Sequence, residues 1–536
     1  MKEIKNFIIE YVKDAKVQLS AGGQEEALKI PFSQLFKKIG ESNNLDIVLH
    51  PEYSEKGARP DFGMHINSAL CGHIELKKPG TTLDPSTFKE NSHNYKQWQN
   101  LKELPNLLYT NGTEFRLWRY GEPIGDPANI HISNLRNAPK SFSYSNNLDE
   151  LIYDFIHWEP TRITSTKKLI STIAPLARII KLEVQENLTS DRAAQQRKEN
   201  EDSLIFLNLA KDWKKLISPG SKDEQFADGF AQTIIFGLLL AVSEGIDLNN
   251  EPLSEIGFKL EDSQHTLIGR MLKYLTDHIR HTSVSPIIDL AIRVLSAVDW
   301  KSLEKQGDEL YLHLYEDFLA EYDRELRETT GSYYTPIPVV EAMTRLTDNV
   351  LTEIMGREGG LRNPNVSIID PAMGTGTYPL SIIKYVANKA SEQYGPGAKQ
   401  EALAALMQRL YGIEIQSGPF SVAELRISNA LSQAGVTIPK KGLNFFVADT
   451  LENPKSGSSD QLTFSAQLIA NQRIAANKVK RDTNIQVVIG NPPYDDHAGG
   501  RGGWIERGDN EAYSKVPPAA KNTNPRTTAN TRPYNP

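Results

Sequence analysis

The stretch Ile485-Gln486-Val487-Val488-Ile489-Gly490-Asn491-Pro492-Pro493-Tyr494 decides the fold of this chain. Its first half is apolar and β-branched, which is typical of a buried strand. The strand runs into Asn491, held between a glycine and two prolines. A polar residue at this point lies at the carboxyl edge of a sheet, where open α/β sheets bind ligands. We therefore predict a ligand site around Asn491.

The residues after this strand suit a planar substrate that carries an –NH2 group. Pro492 and Pro493 fix their φ angles and remove two N–H donors, which leaves backbone carbonyls as acceptors. Asn491 adds another carbonyl, and Tyr494 adds a flat ring. A proline turn that merely follows a core strand would give the same four residues, so the motif alone leaves both interpretations open.

Three further predicted strands also end in polar residues. Val366–Ile369 runs into the loop Asp370-Pro371-Ala372-Met373-Gly374-Thr375-Gly376-Thr377, whose glycines allow a ligand to approach the backbone closely. No lysine follows these glycines, so the loop is not a P-loop. Leu410–Ile413 ends in Glu414, and Phe445–Ala448 ends in Asp449. Carboxylates at successive strand ends are typical of nucleotide-like ligands, with Glu414 placed for ribose hydroxyls.

Residues 328–494 resemble a γ-class adenine-specific DNA methyltransferase, because three motifs occur in that family's order. Asp370–Thr377 is similar to the S-adenosylmethionine loop, and Asn491–Tyr494 to the catalytic motif. Glu328–Pro336 resembles the segment that lies over the methionine part of the cofactor. One departure is Gln416, where relatives often have an acidic residue or asparagine.

The resemblance implies roles for individual residues. Glu414 would hold the ribose of S-adenosylmethionine, and Asp449 its adenine amino group. The target adenine would be extruded from the duplex, because its amino group cannot be reached inside the stack. The implied catalytic residues are Asn491, Pro492, Pro493 and Tyr494. The implied cofactor-binding residues are Thr330, Gly331, Tyr334, Thr335, Pro336, Asp370, Pro371, Gly374, Gly376, Glu414 and Asp449.

A second pattern near the amino terminus predicts a metal-dependent site. Arg59–Ile66 and Cys71–Lys77 are typical of adjacent strands, and Glu75 and Lys77 share one face of the second. Asp61 would lie beside them. Two carboxylates and a lysine can hold Mg2+ at a phosphate and activate water. Alternating charges on a solvated strand are the plainer explanation of the same pattern.

The flanks of this pattern resemble a PD-(D/E)xK nuclease domain of restriction enzymes. A helix around Tyr95–Trp98 and a hairpin over Pro105–Arg119, turning at Asn111-Gly112, follow the two strands. The resemblance implies Asp61, Glu75 and Lys77 as the catalytic triplet, with Asp61 and Glu75 as Mg2+ ligands. Gln97 matches a glutamine of some relatives. Glu26 is a candidate third carboxylate, with a plain surface glutamate as the favoured explanation.

Together the two patterns resemble a type IIG restriction–modification enzyme of α/β fold class. We expect a nuclease-like α/β domain over residues 1–150, a helical connector over 151–327, and a Rossmann-like methyltransferase domain over 328–508. Residues 509–536, rich in Pro, Asn and Thr, predict a disordered tail. Because the family continues beyond its catalytic motif, we expect the methyltransferase domain to be truncated.

The composition of the chain favours one cellular compartment and restricts the expected binding partners. The chain of 536 residues has a net charge of −7, so DNA binding would require local basic patches. A single cysteine, Cys71, and a start without a signal-peptide pattern favour the cytoplasm. The longest apolar run, Ile234–Val242, is too short to span a bilayer, and no membrane partner is expected. The expected partners are double-stranded DNA and a separate target-recognition subunit.

Three functions remain open from the sequence. The first is adenine methylation of DNA with a fused Mg2+-dependent endonuclease. The second is methylation of a protein glutamine or of RNA, since those enzymes share the Asn-Pro-Pro-Tyr motif. The third is a fragment without methyltransferase activity that cleaves DNA, or only binds DNA or a recognition subunit.

Overall fold

The structure, a computed structural model, describes most of the chain and divides it into two compact units. The described residues are 4–22, 25–51, 60–67, 69–216, 222–263, 265–280, 282–305, 314–323, 335–438, 442–455 and 464–492. The first unit comprises residues 1–212 and 221–328, and the second comprises residues 213–220 and 329–536.

The first unit contains a six-stranded sheet in which the strands follow in chain order. Neighbouring strands are antiparallel except β3 and β4, which are parallel. The parallel pair follows from the helix between these two strands, which returns the chain to the same end of the sheet. The strands are β1 (Ile47–Pro51), β2 (Phe62–Ile66), β3 (Ala69–Leu76), β4 (Leu107–Thr110), β5 (Glu114–Arg119) and β6 (Glu122–Asn129).

Helices cover both faces of this sheet. On β4, Leu108 packs into a large core with the first, second and fourth helices, whereas Leu107 and Tyr109 pack with Trp98 of the third. Side chains alternate between the two faces of a strand, so Glu75, which lies between two residues of the large core, faces the third helix. The helices before residue 323 are α1 (Ile4–Ser20), α2 (Glu26–Ser42), α3 (His93–Leu101), α4 (Leu148–Ile156), α5 (Thr166–Gln196), α6 (Ile205–Leu216), α7 (Asp223–Ser243), α8 (Leu253–Asp262), α9 (Thr266–Asp277), α10 (Val284–Leu295), α11 (Trp300–Glu304) and α12 (Leu314–Tyr322).

The predicted hairpin turn is confirmed between β4 and β5. Gly112 has a φ of +90°, which a glycine adopts without strain. The side-chain carbonyl of Asn111 accepts hydrogen bonds from the backbone N–H groups of Thr113 at 3.0 Å and Glu114 at 2.8 Å. The asparagine therefore closes the turn that the sequence predicts.

The helical part of the first unit packs onto β3. Arg293 of α10 donates hydrogen bonds to the sulfur of Cys71 at 2.7 Å and to the backbone carbonyl of Trp158 at 2.6 Å. This contact joins the sheet to the helices within one compact unit. The boundary proposed at residue 150 stays a prediction.

Helix α7 is the apolar centre of these helices. It is long and apolar enough by composition to cross a membrane, but 83% of its most apolar window is buried inside the protein. Phe226, Phe230, Ile234 and Leu238, predicted as core from their spacing, are all fully buried. The prediction that this segment is a buried helix is confirmed.

The second unit contains a four-stranded parallel sheet in the order β10-β7-β8-β9. Its strands are β7 (Ile368–Asp370), β8 (Leu410–Glu414), β9 (Phe445–Val447) and β10 (Val487–Val488). Its helices are α13 (Ile337–Asn349), α14 (Thr377–Tyr394), α15 (Ala398–Met407), α16 (Ser417–Gln433) and α17 (Phe464–Asp482), with a π-helical turn over Val350–Ile354. The alternation of parallel strands and helices confirms the α/β prediction for this unit.

Strand β10 is shorter than the sequence suggests. The side-chain carbonyl of Gln486 accepts a hydrogen bond from the Ser367 N–H at 2.6 Å, which interrupts the ladder at its start. Pairing resumes afterwards, and the Ile489 N–H donates to the Ile369 carbonyl at 3.0 Å. The chain therefore follows β7 up to Gly490 although only two residues have regular strand geometry.

Candidate functional site

The carboxyl ends of the parallel strands in the second unit form one row of polar residues. In the order of the sheet, these are Asn491 after β10, Asp370 at the end of β7, Glu414 at the end of β8 and Asp449 after β9. Parallel strands present their carboxyl ends at one edge, which brings together four residues that are up to 121 positions apart. The structure places all four where the sequence predicts, and their individual roles stay predictions.

The loop after β7 is tied to the end of β8. The N–H of Gly374 donates to one carboxylate oxygen of Glu414 at 2.9 Å, and the N–H of Gln416 donates to the other at 2.9 Å. Gly374 and Gly376 have φ angles of +53° and +76°, in the left-handed region that favours glycine. A Cβ on Gly374 would meet no atom within 4 Å, so the backbone borders open space there.

Asp370 is a buried carboxyl at the centre of this edge. Only 1% of its surface is exposed, and Oδ1 accepts a hydrogen bond from the Ala372 N–H at 3.1 Å. Burial raises the pKa of Asp370 to about 8, and the nearby Glu414 adds to that increase. A side chain on Gly490 would collide with the Asp370 carboxyl, so a glycine must precede Asn491.

Asn491 bonds to the segment that precedes α13. Its Nδ2 donates to Oγ1 of Thr335 at 3.0 Å, and Pro492 beside it is exposed. Pro336, also named by the sequence, begins α13 as its capping residue. The predicted residues Thr330, Gly331, Tyr334, Pro493 and Tyr494 lie outside the described residues.

The loop after β9 is fastened by Lys480 of α17. Its Nζ donates to the carbonyls of Asp449 at 3.1 Å, Thr450 at 3.3 Å and Glu452 at 3.0 Å. The hydroxyl of Thr450 donates to the carbonyl of Pro371, which links this loop to the loop after β7. No local sequence pattern indicated Lys480, because its partners are backbone atoms about thirty positions away.

Arg426 bonds to the glycine loop, and the sequence analysis did not identify this residue either. It is a buried residue of α16, and its Nη1 donates to the Thr375 carbonyl at 2.8 Å and to the hydroxyls of Thr375 and Thr377 at 3.2 and 3.3 Å. A Cβ on Gly376 would lie 3.0 Å from the Cβ of Ala423 on the same helix. The glycine loop therefore packs against helix α16. An arginine between Leu425 and Ile427, at a position where the helix packs inward, was the available signal.

The first unit holds a separate cluster of buried polar side chains at the end of β3. The Nζ of Lys77 donates to Oε1 of Glu75 at 2.7 Å and to the side-chain carbonyl of Gln97. The amide of Gln97 donates to the same Glu75 oxygen at 2.6 Å. The structure thus joins three residues that the sequence named separately, with Gln97 on α3 closing the cluster.

Asp61 lies beside this cluster. Phe62 pairs with Ile74 across β2 and β3, which sets Asp61 opposite Glu75. Its Oδ2 accepts a hydrogen bond from the Leu76 N–H at 2.8 Å, and its Oδ1 forms an ion pair with Lys29 at 3.0 Å. Lys29 is a neighbour that the sequence analysis did not identify.

Glu75 is nearly completely buried, with 1% of its surface exposed. Burial raises the pKa of Glu75 to about 8, against the opposing effect of Lys77. Within the described ranges, Oε2 of Glu75 and the hydroxyl of Tyr109, its partner on β4, have no hydrogen-bond partner. Burial also raises the pKa of Tyr109, and the Glu75 carboxyl adds to the effect.

The third carboxylate near this cluster is Glu25, whereas Glu26 is a surface glutamate, as the plainer interpretation expects. Glu26 is exposed and pairs with Lys29. Glu25 precedes α2 and interacts electrostatically with Lys77 and Asp61, and burial raises its pKa. Among the residues that the structure describes, no group of three or more His, Cys, Asp and Glu side chains is placed to hold a metal ion. The metal roles of Asp61 and Glu75 stay predictions.

Comparison with known proteins relates part of this chain to a family. Residues 306–529 match the family described as N-6 DNA Methylase, and this range includes Asp370, Glu414, Asp449 and Asn491. The chain therefore contains an N6 DNA methyltransferase domain. No curated protein matches the chain.

Three solved structures are similar to this chain at low identity. The cryoEM structure of a DrdV–DNA complex is 20% identical, with a TM-score of 0.44, and the match covers 91% of this chain and 44% of that one. The ATP-dependent Type ISP restriction-modification enzyme LlaBIII bound to DNA is 18% identical, with a TM-score of 0.45 and coverages of 61% and 22%. A nuclease-deletion mutant of the Type ISP enzyme LlaGI with a DNA substrate mimic is 17% identical, with a TM-score of 0.44 and coverages of 65% and 26%. The chain spans less than half the length of each.

We expect the stability of Asp370→Asn, relative to that of the wild type, to increase as pH rises. The folded-state pKa of about 8 lies above the usual value of 3.8, so wild-type stability falls as pH rises between these values. Asparagine removes this proton linkage and keeps the acceptor for Ala372. The Tm of the variant relative to wild type should rise by on the order of 10 °C, or ~4 kcal/mol, between about pH 5 and pH 8.5.

Calorimetry of the whole chain checks this expectation, with Asp482→Asn as the control. Asp482 is an exposed carboxylate of the same unit, paired with Arg481 at 2.7 Å. Its replacement should leave the difference in Tm small at both pH values. A difference for Asp370→Asn that stays constant with pH would mean that this carboxyl is ionised throughout the range.

Proposed function

We propose that this chain transfers a methyl group from S-adenosylmethionine to the exocyclic amino group of adenine in double-stranded DNA, because residues 306–529 match the family described as N-6 DNA Methylase. The observation that carries the proposal is the row formed by Asn491, Asp370, Glu414 and Asp449 at one edge of a parallel sheet. The family match favours DNA over the protein and RNA substrates that share the Asn-Pro-Pro-Tyr motif. The reaction would take place in the cytoplasm.

The residues of the edge fit the cofactor. Gly374 borders open space and presents its backbone beside the Glu414 carboxyl. Glu414 would hold the ribose hydroxyls, and Asp449 the adenine amino group, with Asp370, Pro371 and Gly376 shaping the loop between them. Pro336 would border the methionine part. When bound, S-adenosylmethionine supplies a sulfonium-activated methyl group.

In this proposal the chain contributes to catalysis by orienting the target amino group. Oδ1 of Asn491 and the carbonyl of Pro492 accept hydrogen bonds from the two hydrogens of the target amino group, which directs its lone pair at the methyl carbon. The departing amino proton leaves through one of these acceptors to water. Holding two reactants in line contributes a large part of catalysis in such transfers. Pro493 and Tyr494 would support the base after it leaves the stack.

Asn491→Ala should abolish methyl transfer while cofactor binding persists. The alanine removes the acceptor for the target amino group, whereas Asp370, Glu414 and Asp449 remain. Incorporation of radiolabelled methyl from S-adenosylmethionine into unmethylated DNA measures the first effect, and calorimetric titration with the cofactor measures the second. Asn349→Ala, on the exposed end of α13, is the control that should retain transfer. Transfer by the Asn491→Ala protein would contradict the assignment.

Arg426→Met should weaken S-adenosylmethionine binding by on the order of tenfold, ~1.4 kcal/mol. The methionine removes the hydrogen bonds that order the loop around Thr375 and keeps an apolar stem. Arg409→Met is the matched control, because this buried arginine donates to the Val366 and Leu361 carbonyls at 2.7 Å, before β7 begins. Both variants should lose stability, since each leaves buried carbonyls unpaired.

Cofactor affinity separates these two variants when it is measured at a temperature where circular dichroism finds both folded. Only Arg426→Met should bind the cofactor more weakly than wild type. Equal affinities in the two variants would mean that Arg426 supports the fold and not the cofactor loop.

We further propose that the Glu75 cluster is the centre of a Mg2+-dependent DNA nuclease, as in a restriction–modification enzyme that directs both activities to DNA through a separate recognition subunit. The supporting observation is a carboxylate that is 1% exposed, bonded to Lys77 and Gln97, with Oε2 unpaired among the described residues. An unpaired buried oxygen next to Asp61 fits Mg2+, which commonly takes one or two protein carboxylates and water. Lys77 would stabilise the attacking water or the charged phosphate.

Lys77→Ala should abolish Mg2+-dependent nicking of supercoiled DNA, because it removes the positive charge from the cluster. Lys78→Ala is the matched control, since Lys78 is the next residue and is exposed. Gel analysis of nicking with Mg2+ or with chelator gives the result, and circular dichroism of Lys77→Ala shows that the first unit is still folded. Unchanged nicking by that variant would refute the nuclease assignment.

A further inference from the structure

We propose that Thr335 is a positioning residue that sets the orientation of the catalytic Asn491 carboxamide. This inference rests on the proposed adenine methyltransferase function, and it assigns Thr335 to the target side of the site. The resemblance to methyltransferases implies only a cofactor contact for this segment. The geometry points to a contact with the catalytic motif instead.

The observation is one hydrogen bond between distant parts of the chain. Nδ2 of Asn491 donates to the Thr335 hydroxyl at 3.0 Å, across 156 positions. Both residues are half-buried, so the bond is partly shielded from water. It joins the entry to α13 to the end of β10.

The backbone holds both partners of this bond. Thr335 precedes Pro336, whose carbonyl accepts from the N–H groups of Val339 at 2.9 Å and Val340 at 3.2 Å at the start of α13. Asn491 precedes Pro492, and a residue before proline is confined to extended backbone angles. Gly490 on its other side packs against the Asp370 carboxyl. With both backbones restricted, the hydroxyl meets the carboxamide at a defined position.

The chemistry of methyl transfer makes this bond matter. A carboxamide carries a donor and an acceptor on branches that diverge from one carbon, so fixing Nδ2 fixes the direction of Oδ1. The proposed reaction needs Oδ1 as an acceptor for the target amino group. Thr335 therefore holds the acceptor in its working direction before the base arrives, and this reduces the reorganisation that accompanies reaction.

Substitution at Thr335 tests this role. Thr335→Val keeps the shape and removes the hydroxyl, and Thr335→Ser keeps the hydroxyl. We expect the rate of methyl transfer at saturating S-adenosylmethionine to fall by on the order of tenfold in Thr335→Val and to recover in Thr335→Ser, with the cofactor Kd unchanged in both. Thr347→Val is the matched control, because that hydroxyl bonds only within α13, to the Met343 carbonyl at 2.8 Å, and its rate should equal wild type.

Two results would overturn the proposal. A weaker cofactor Kd with an unchanged saturated rate in Thr335→Val would make Thr335 a cofactor contact. An unchanged rate and Kd would make the bond irrelevant to catalysis.

A double-mutant cycle separates this proposal from the proposed function. Thr335→Val and Asn491→Ala should lower the Tm together by less than the sum of their single effects, because they remove the same bond. Additive Tm changes would refute the contact whatever the activity. If the wild-type chain transfers no methyl although the Tm changes are coupled, the contact exists but the methyltransferase function, and with it this role, is refuted.

Discussion

The hydrogen bond from the Gly374 N–H to the Glu414 carboxylate determines how the second unit forms its site. It ties the loop after one parallel strand to the end of the next, so neither loop is placed independently. Gly374 needs a left-handed backbone to direct its N–H at that oxygen, and α16 holds the following turn through Arg426. The residues predicted to bind the cofactor therefore depend on strand pairing below them and on helix packing behind them.

Both units place carboxyl groups where water is excluded and where a ligand would approach. Asp370 and Glu75 each end or nearly end a central strand, and burial raises the pKa of both to about 8. The difference lies in their neighbours. Asp370 accepts a backbone N–H, whereas Glu75 is bonded to a lysine and a glutamine side chain. A carboxyl beside a backbone donor suits recognition of a polar organic group, and a carboxyl paired with a cation suits chemistry on phosphate.

Local sequence signals identified strand ends and turns better than they identified partners. The four polar strand ends and the Asn111-Gly112 hairpin depend on period-two patterns and turn residues, which act over a few positions. The contact between Thr335 and Asn491 depends on how α13 meets the sheet, and no local pattern encodes that. The support from Arg426 likewise requires the packing of α16 against a loop fifty-one positions earlier. Glu25 was missed in favour of its neighbour Glu26. A shift of one residue at the start of α2 changes which of the two carboxylates faces inward.

The contact of Arg293 with Cys71 gives the first unit a built-in reporter of its own motion. Cys71 is the only cysteine of the chain, it is buried on β3, and its sulfur accepts a hydrogen bond from α10. A thiol reagent can reach this buried sulfur only when the core around it opens. The rate of modification under native conditions therefore measures the free energy of that opening, without an introduced label.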